Sequence, residues 1–183
     1  MRKNPGNLVW IDLETTGLDP GTSAILEIAT IVTDEKLNVL AEGPDPEIHQ
    51  PDDVLQASDP WCIRQHTASG LFDACRRSTV SLAEAERRTL DVVRRLCLRN
   101  RAPLCGNSIC FDRRFLIRHM PTLNAYLSFR NVDVSSVREL AMRWFPGRVP
   151  SVDKKSKHRA ASDIRESLEE LRLYRLLLFR ESP

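Results

Sequence analysis

Residues 8–20 read LVWIDLETTGLDP, an apolar run that two acidic residues interrupt before a group of turn-forming residues. The stretch Leu8–Glu14 is short and apolar and is followed by a glycine and a proline, which predicts a β-strand. Side chains alternate between the two faces of a strand, so Asp12 and Glu14 point to the same face of the sheet. The sequence therefore predicts two neighbouring carboxylates near the end of a core strand.

Two neighbouring carboxylates in a core strand repel each other, and their burial without a cation or a shared proton costs free energy. Oxygen ligands suit Mg²⁺ or Mn²⁺ better than zinc, and a pair of such ions is a recurrent device for cutting phosphodiesters. Asp12 and Glu14 therefore indicate a metal site. A plainer alternative is a strand that ends at Ile11 and leaves both acids in water.

The rest of the chain alternates between short apolar segments and amphipathic ones. The further strands that we expect are Ile25–Val32, Val39–Glu42, Pro103–Cys105 and Asn131–Val134. The helices that we expect are Ser81–Cys97, Cys110–Met120 (stopped by Pro121), Ser136–Trp144 and Arg159–Phe179. Residues 147–157 are rich in basic and turn-forming residues and are expected to form a loop. Strands that alternate with helices predict an α/β sheet.

The chain has 183 residues, 42% hydrophobic and 28% charged, a globular composition that excludes a collagen-like chain, a low-complexity tail and a disulfide scaffold. Its length predicts one domain over residues 1–183, with residues 1–6 as a flexible N-terminus. No apolar stretch approaches the length of a membrane span, and the five cysteines form no C-x-x-C pair. We therefore expect a cytoplasmic protein with reduced thiols and no membrane partner.

The net charge of +2 conceals a division along the chain. Residues 1–73 carry 4 Lys and Arg against 13 Asp and Glu, whereas residues 74–183 carry 23 against 12. In one folded domain, an acidic cluster able to hold a divalent metal would then face a basic surface able to hold phosphate. The alternative is that these charges only cover solvated faces.

Three segments resemble the motifs of the DEDD superfamily of 3′–5′ exonucleases. DLETTG at residues 12–17 matches D-x-E-x-T-G, and CGNSICFD at residues 105–112 resembles the second motif. HRAASD at residues 158–163 matches the third motif in its H-x₄-D form. Residues five positions apart lie about 140° apart around a helix, so His158 and Asp163 share a site only if His158 precedes the regular helix.

The segments between these motifs are similar to the oligoribonuclease family. They are residues 37–44, 61–71, 125–126 with Arg130, 133–140 and 163–167. The resemblance extends from Asn7 to Phe179 without large insertions. It implies an α/β fold of the ribonuclease H-like exonuclease type, with a central mixed β-sheet flanked by α-helices. It also implies a homodimer that hydrolyses very short oligoribonucleotides, dinucleotides especially, to nucleoside 5′-monophosphates.

The same resemblance implies a catalytic centre. The acids that would hold two Mg²⁺ or Mn²⁺ ions are Asp12, Glu14, Asp112 and Asp163. His158 would accept a proton from the attacking water, because an ordinary histidine pKa of about 6.5 suits a general base near neutral pH.

Substrate contacts follow from the resemblance position by position. Leu18 would wedge between the two bases and Trp61 would help to form the base pocket, although both residue types are more often plain core. The residues that match the family's cap for the 5′ phosphate are His66, Ser108, Arg130 and Ser135. In a short substrate, the terminal phosphate would accept hydrogen bonds from these residues. A longer RNA would leave the same donors without a partner, which would explain a preference for short substrates.

The sequence departs from the family pattern at several positions near these motifs. Phe129 stands where the family generally has a tyrosine, contributed by the partner subunit, whose hydroxyl approaches the scissile phosphate. Cys110-Phe111 replaces Gly-Gln, Ser162 replaces an aspartate and Thr15 replaces a methionine. None of these changes removes a proposed metal ligand, so we expect activity with an altered rate or length preference.

Three other functions are compatible with parts of the sequence. A proofreading or RNA-trimming exonuclease would act on longer ends, and a degenerate exonuclease fold would only bind small nucleotides or partners. A basic nucleic-acid-binding module would bind in a salt-sensitive way without turnover, and it would leave the acids of the core strand unexplained.

Overall fold

A five-stranded mixed sheet forms the centre of the computed structural model, which describes residues 3–148 and 159–179. Its strands are β1 (Leu8–Thr15), β2 (Ile25–Thr33), β3 (Val39–Glu42), β4 (Leu104–Gly106) and β5 (Asn131–Asp133). The helices are α1 (Asp52–Gln56), α2 (Pro60–Ala68), α3 (Leu71–Arg77), α4 (Leu82–Leu96), α5 (Cys110–His119), α6 (Pro121–Tyr126), α7 (Val134–Trp144) and α8 (Ala160–Leu178).

The strand order in the sheet is β3-β2-β1-β4-β5. β2 pairs antiparallel with both β1 and β3, whereas β4 pairs parallel with both β1 and β5. Helices cover both faces of this sheet. The structure thus confirms the predicted α/β fold with a central mixed sheet flanked by helices.

Side chains of β1 alternate between two apolar cores, as the period of a strand requires. Val9, Ile11 and Leu13 pack in the core that α4, α5 and α6 cover. Trp10 packs in the core that α7 and α8 cover. Asp12 and Glu14 follow Trp10 by two and four positions, so their side chains point to the same face of the sheet, the face on which α8 lies.

The predicted strands and long helices are all present, and their ends differ from the predictions by at most two residues. Pro121 does more than stop α5, because it also occupies the first position of α6, where the missing N–H of proline is tolerated. No element was predicted for residues 52–77, which form the short helices α1, α2 and α3. These helices pack on β2 through a small apolar cluster that includes Leu55, Leu71 and Phe72.

The predicted loop at residues 147–157 is described only at residues 147 and 148, and the remainder lies outside the described residues together with His158. Within residues 3–148 and 159–179, each helix is too short or too polar to span a lipid bilayer.

Candidate active site

β1 carries Asp12 and Glu14 beyond the point where its neighbour β4 ends. The parallel pairing with β4 involves Val9 and Trp10, while the antiparallel pairing with β2 continues through Asp12 and Glu14. The strand itself extends to Thr15, so the alternative in which it ends at Ile11 is wrong. Both acids therefore lie on the part of β1 that pairs with β2 alone, at the edge where the pairing with β4 has ended.

α8 brings a third acid to this edge. Asp163 lies in the first turn of α8, and one carboxylate oxygen from each of Asp12, Glu14 and Asp163 lies within 4.8 Å of the other two. α8 begins at Ala160, after the position of His158, which is the condition that the sequence set for the two residues to share a site. The histidine of the same motif, His158, lies outside the described residues, so its position relative to these acids stays a prediction.

The fourth predicted acid, Asp112, is held by the backbone of β1. It lies in the first turn of α5 and is buried, and its Oδ1 accepts a hydrogen bond of 3.0 Å from the N–H of Leu13. Asp112 does not belong to the group of three whose oxygens converge. The structure thus brings three of the four acids together. The fourth, Asp112, is held by a hydrogen bond from Leu13, the residue between Asp12 and Glu14.

The mutual repulsion and burial of these acids shift their protonation. Burial, followed by the charges of Asp112, Glu14 and Asp163, raises the pKa of Asp12 well above its ordinary value. Burial, followed by the nearby acids, raises the pKa of Glu14 to about 8, and burial raises the pKa of Asp112 to about 7. Without a cation, the cluster would therefore retain protons near neutral pH, and a bound divalent cation would replace them. An all-oxygen, acidic set of this kind fits Mg²⁺ or Mn²⁺.

Two further charged residues hold the start of α8, and sequence reasoning did not identify either of them. The carboxylate of Glu27, on β2, is 1% exposed and accepts hydrogen bonds from Nε and Nη2 of Arg159 and from the N–H of Ala160. Arg159 also donates to Glu47 at 2.7 Å. The sequence does contain one indication of a special role for Glu27, because it is the one acid in the apolar stretch ILEIATIV. Asp163 therefore lies on a helix whose first turn is fixed to the sheet.

A cavity of about 360 Å³ adjoins the acid cluster. Its lining residues are Leu13, Glu14, Thr15, Leu18, Asp59, Trp61, Cys62, His66 and Phe111. Leu18 is 75% exposed and Trp61 is 46% exposed, so neither is the plain core residue of the alternative interpretation. A larger, open cleft of about 790 Å³ between residues 21–25, 48–50 and 78–82 contains none of the four acids.

His66 lies beside this cavity and close to the acids. It is buried on α2, its Nε2 lies 3.1 Å from the carbonyl oxygen of Thr15, and the same nitrogen lies 3.9 Å from Oε2 of Glu14. The structure thus places His66 at the Glu14 side of the site.

Ser108 and Ser135 are brought together on the opposite flank, where β4 turns into α5. Ser108 has a φ of +50°, a left-handed conformation that is uncommon for residues other than glycine. Its N–H donates to Oγ of Ser135 at 2.9 Å, and the two hydroxyls are 3.2 Å apart. The Ser135 hydroxyl donates in turn to Oδ1 of Asn107 at 3.0 Å. Two small polar side chains are thus fixed side by side at an exposed turn.

Arg130 lies on the turn before β5. Its guanidinium group lies 5.0 Å from the centre of the Phe129 ring, and Phe129 is 85% exposed. A cation over an aromatic face is an attractive contact. This pair therefore presents a positive charge and an aromatic ring to solvent.

Comparisons with known proteins agree with this architecture. Residues 9–171 match the RNase T family of exonucleases. In solved structures, Escherichia coli exonuclease I in complex with a dA16 oligonucleotide superposes with a TM-score of 0.72 at 17% identity, over 94% of this chain and 41% of that chain. The zinc-bound complex of the same enzyme with single-stranded DNA gives a TM-score of 0.70. The chain thus spans less than half of those larger nucleases and shares their ribonuclease H-like exonuclease fold.

Curated relatives are far more similar in sequence. The oligoribonucleases of Pseudomonas paraeruginosa and Pseudomonas aeruginosa are each 56% identical over 173 residues, which cover 94% of this chain and 96% of theirs. The oligoribonuclease of Marinobacter nauticus is 51% identical over 177 residues, or 97% of this chain and 98% of that protein. With such identity over nearly the full length of both partners, this chain belongs to the oligoribonuclease family.

Proposed function

We propose that the protein is a metal-dependent 3′–5′ exoribonuclease that hydrolyses very short oligoribonucleotides, dinucleotides especially, to nucleoside 5′-monophosphates. The convergence of Asp12, Glu14 and Asp163 within 4.8 Å, in a chain of the oligoribonuclease family, carries this assignment. A basic binding module would have no use for three clustered acids, because their burial without a cation is unfavourable.

The four acids would hold two Mg²⁺ or Mn²⁺ ions. When bound, such ions lower the pKa of a water molecule and stabilise the charge on the attacking and leaving oxygens. Asp12 and Glu14 lie on the rigid central strand, and Asp163 lies on a helix start that Glu27 holds. Asp112 is fixed by its bond to the Leu13 N–H. This support keeps the carboxylates in place before substrate arrives, which is what a preorganised site requires.

His158 would act as the general base. It directly precedes Arg159, which Glu27 and Glu47 anchor next to the acid cluster. A histidine at this point of the chain would take the proton of the attacking water, since its ordinary pKa suits proton transfer near neutrality.

The two ends of the substrate would be held on opposite flanks of the acids. Leu18 and Trp61, both exposed at the mouth of the 360 Å³ cavity, would contact the bases. The residues that would bind the 5′ phosphate of a dinucleotide are Ser108, Arg130 and Ser135. The family resemblance groups His66 with them, but His66 lies beside Glu14 and the cavity of Leu18 and Trp61, so it would contact the substrate on that flank. Arg130 would contribute most, because a guanidinium group binds phosphate through two charge-assisted hydrogen bonds.

The assembly that we propose is a homodimer in which each chain forms one exonuclease domain over residues 1–183. The exposed Phe129 would then reach the site of the partner, in the manner that the family resemblance implies. The five cysteines are free thiols, which supports a reducing, cytoplasmic location.

A time course with 5′-labelled RNAs, from the dinucleotide to about twenty nucleotides, tests the proposal in Mg²⁺ or Mn²⁺. Asp112→Asn is the control, because the asparagine oxygen still accepts the Leu13 N–H while the charge is removed. We expect fast cleavage of the dinucleotide that declines steeply with length, and turnover by the control that is lower by at least about a hundredfold. Trimming that is independent of length would indicate a broader exonuclease, and the absence of metal-dependent turnover would indicate a fold that only binds.

A further inference from the structure

Arg113 follows the candidate metal ligand Asp112 directly on α5, and all three nitrogens of its guanidinium group donate hydrogen bonds. The acceptors are Oδ1 of Asn124 at 2.9 Å, the carbonyl oxygens of Ser128 at 2.8 Å and Arg130 at 3.3 Å, and Oδ1 of Asn131 at 2.9 and 3.2 Å. Arg113 thus connects the helix of Asp112 with the turn at residues 128–131.

These acceptors are all neutral carbonyl or amide oxygens. A half-buried guanidinium group that is bonded to neutral oxygens gains charge–dipole attraction but has no ion-pair partner among them, so the geometry of its hydrogen bonds decides what it contributes. The rigid fork of an arginine can reach several acceptors at once, whereas a lysine offers one compact ammonium group. An arginine at position 113 is therefore suited to fixing the shape of the turn.

The turn at residues 128–131 is also held from the side of the sheet. The N–H of Ser128 donates to the carbonyl of Ala102 at 2.8 Å, and the N–H of Leu104 donates to the carbonyl of Arg130 at 3.3 Å. Its backbone is thus fixed from two directions, while the side chains of Phe129 and Arg130 remain exposed. A fixed backbone with exposed functional side chains is the arrangement expected for presenting a charge at a set position.

We propose that Arg113 is a positioning residue that sets the preference for short substrates, by holding Arg130 at a fixed distance from the acid cluster. This inference rests on the proposed function, in which Arg130 binds the terminal 5′ phosphate. Asp112 and Arg113 are consecutive residues of one helix, so the reacting end of the site and the phosphate-binding turn cannot shift independently. A substrate of the matching length binds both the acid cluster and Arg130. A longer substrate that binds the acid cluster cannot also place its 5′ phosphate at Arg130.

Arg113→Lys tests the inference, because it keeps the charge and removes the fork. Arg118→Lys is the matched control, since Arg118 lies on the exposed face of the same helix. For a 5′-phosphorylated dinucleotide we expect kcat/KM of Arg113→Lys to fall by about tenfold, chiefly through KM. For an RNA of about seven nucleotides, and for a dinucleotide without the 5′ phosphate, the change should stay below about twofold. Arg118→Lys should match the wild-type protein throughout.

A double-mutant cycle with Arg130→Gln separates positioning from a general structural effect. If Arg113 acts through Arg130, adding Arg113→Lys to Arg130→Gln changes dinucleotide kcat/KM by less than about twofold. Equal losses on all substrates, an additive cycle or no loss would overturn the inference while leaving the proposed function intact. Should Arg113→Lys fail to fold, Asn131→Ala removes two of the five hydrogen bonds at an exposed position and must show the same length-dependent loss. A wild-type protein without metal-dependent turnover would refute both proposals.

Discussion

The guanidinium group of Arg159 forms a two-pronged ion pair with the buried carboxylate of Glu27, with Nη2 and Nε at 2.7 and 2.9 Å from Oε1. The second oxygen of Glu27 accepts the N–H of Ala160 at 3.0 Å. A side chain from β2 thus performs the task of a helix cap for α8, 133 residues further along the chain. Since Glu27 pairs in register with Glu14, the same carboxylate connects the start of α8 to the acid cluster.

Arg159→Met should lower the free energy of unfolding by about 3 kcal/mol, because it leaves the charge of Glu27 buried without its partner. Arg165→Met is the matched control on the same helix. Arg165 pairs with Glu42, but the two side chains are 53% and 51% exposed, so we expect a loss below about 1 kcal/mol. Urea unfolding measures both values. Equal losses in the two variants would show that the buried pair has no special role.

The stability of the metal-free protein should fall as the pH rises. Glu14 has a pKa of about 8 in the folded protein and an ordinary value of 4.5, so between these values the folded state holds more protons than the unfolded state. Stability from this group is therefore fully present below pH 4.5 and lost as the pH rises through 8. Asp112, with a pKa of about 7, acts in the same direction.

Melting temperatures in EDTA and in Mg²⁺ from pH 5 to pH 8, about the range in which these acids titrate, measure this effect. In EDTA we expect a decline with pH that corresponds to a few kcal/mol, and in Mg²⁺ a much smaller one, because the cation takes the place of the protons. The Glu14→Gln variant should show a weaker decline in EDTA than the wild-type protein. A melting temperature in EDTA that is constant or rises with pH would contradict the raised pKa values.

Periodicity was sufficient to predict the strands and the long helices, and the resemblance to the exonuclease motifs implied that Asp163 joins the acids of β1. The strand period alone places Asp12 and Glu14 on one face, because the alternation is local. The contacts of Glu27 with Arg159 and of Arg113 with residues 124–131 could not be predicted, since they join segments whose proximity only the folded chain establishes. The short helices at residues 52–77 escaped prediction for a related reason, because they are stabilised by packing on β2 more than by their own periodicity.

Two substitutions of Asp112 should distinguish the effect of its charge on activity from the effect of its hydrogen bond on stability. Asp112→Asn keeps the hydrogen bond from Leu13 and removes one charge from a repelling cluster, so the metal-free variant should be at least as stable as the wild-type protein. Its metal-dependent hydrolysis should fall by at least about a hundredfold. Asp112→Ala should lose activity and also about 1–3 kcal/mol of stability, because the Leu13 N–H is left unpaired. Thermal unfolding and dinucleotide hydrolysis distinguish the two variants, and retained activity in Asp112→Asn would exclude Asp112 as a ligand.

Leu18→Ala should affect substrate binding and leave stability unchanged. Leu18 is 75% exposed, so its truncation should change the free energy of unfolding by less than about 0.5 kcal/mol. If the side chain contacts the bases, KM for a dinucleotide should rise by about tenfold, in line with the loss of about 1.5 kcal/mol of apolar burial. Leu176→Ala is a control at another exposed leucine, 79% accessible on α8. An unchanged KM in Leu18→Ala would remove Leu18 from the proposed binding site.

Phe129→Tyr should increase the rate of dinucleotide hydrolysis. Phe129 is 85% exposed beside Arg130, so an added hydroxyl meets no packing constraint within the chain and should leave the melting temperature unchanged. In the proposed homodimer this hydroxyl would gain a hydrogen bond to the scissile phosphate of the partner's substrate, worth about 0.5–1.5 kcal/mol, or up to about tenfold in kcat if it forms only in the transition state. Light scattering should give twice the 20.9 kDa mass of the chain for both proteins. A monomeric mass would exclude the contribution from a partner, and an unchanged kcat in a dimer would show that the ring at position 129 acts without a hydroxyl.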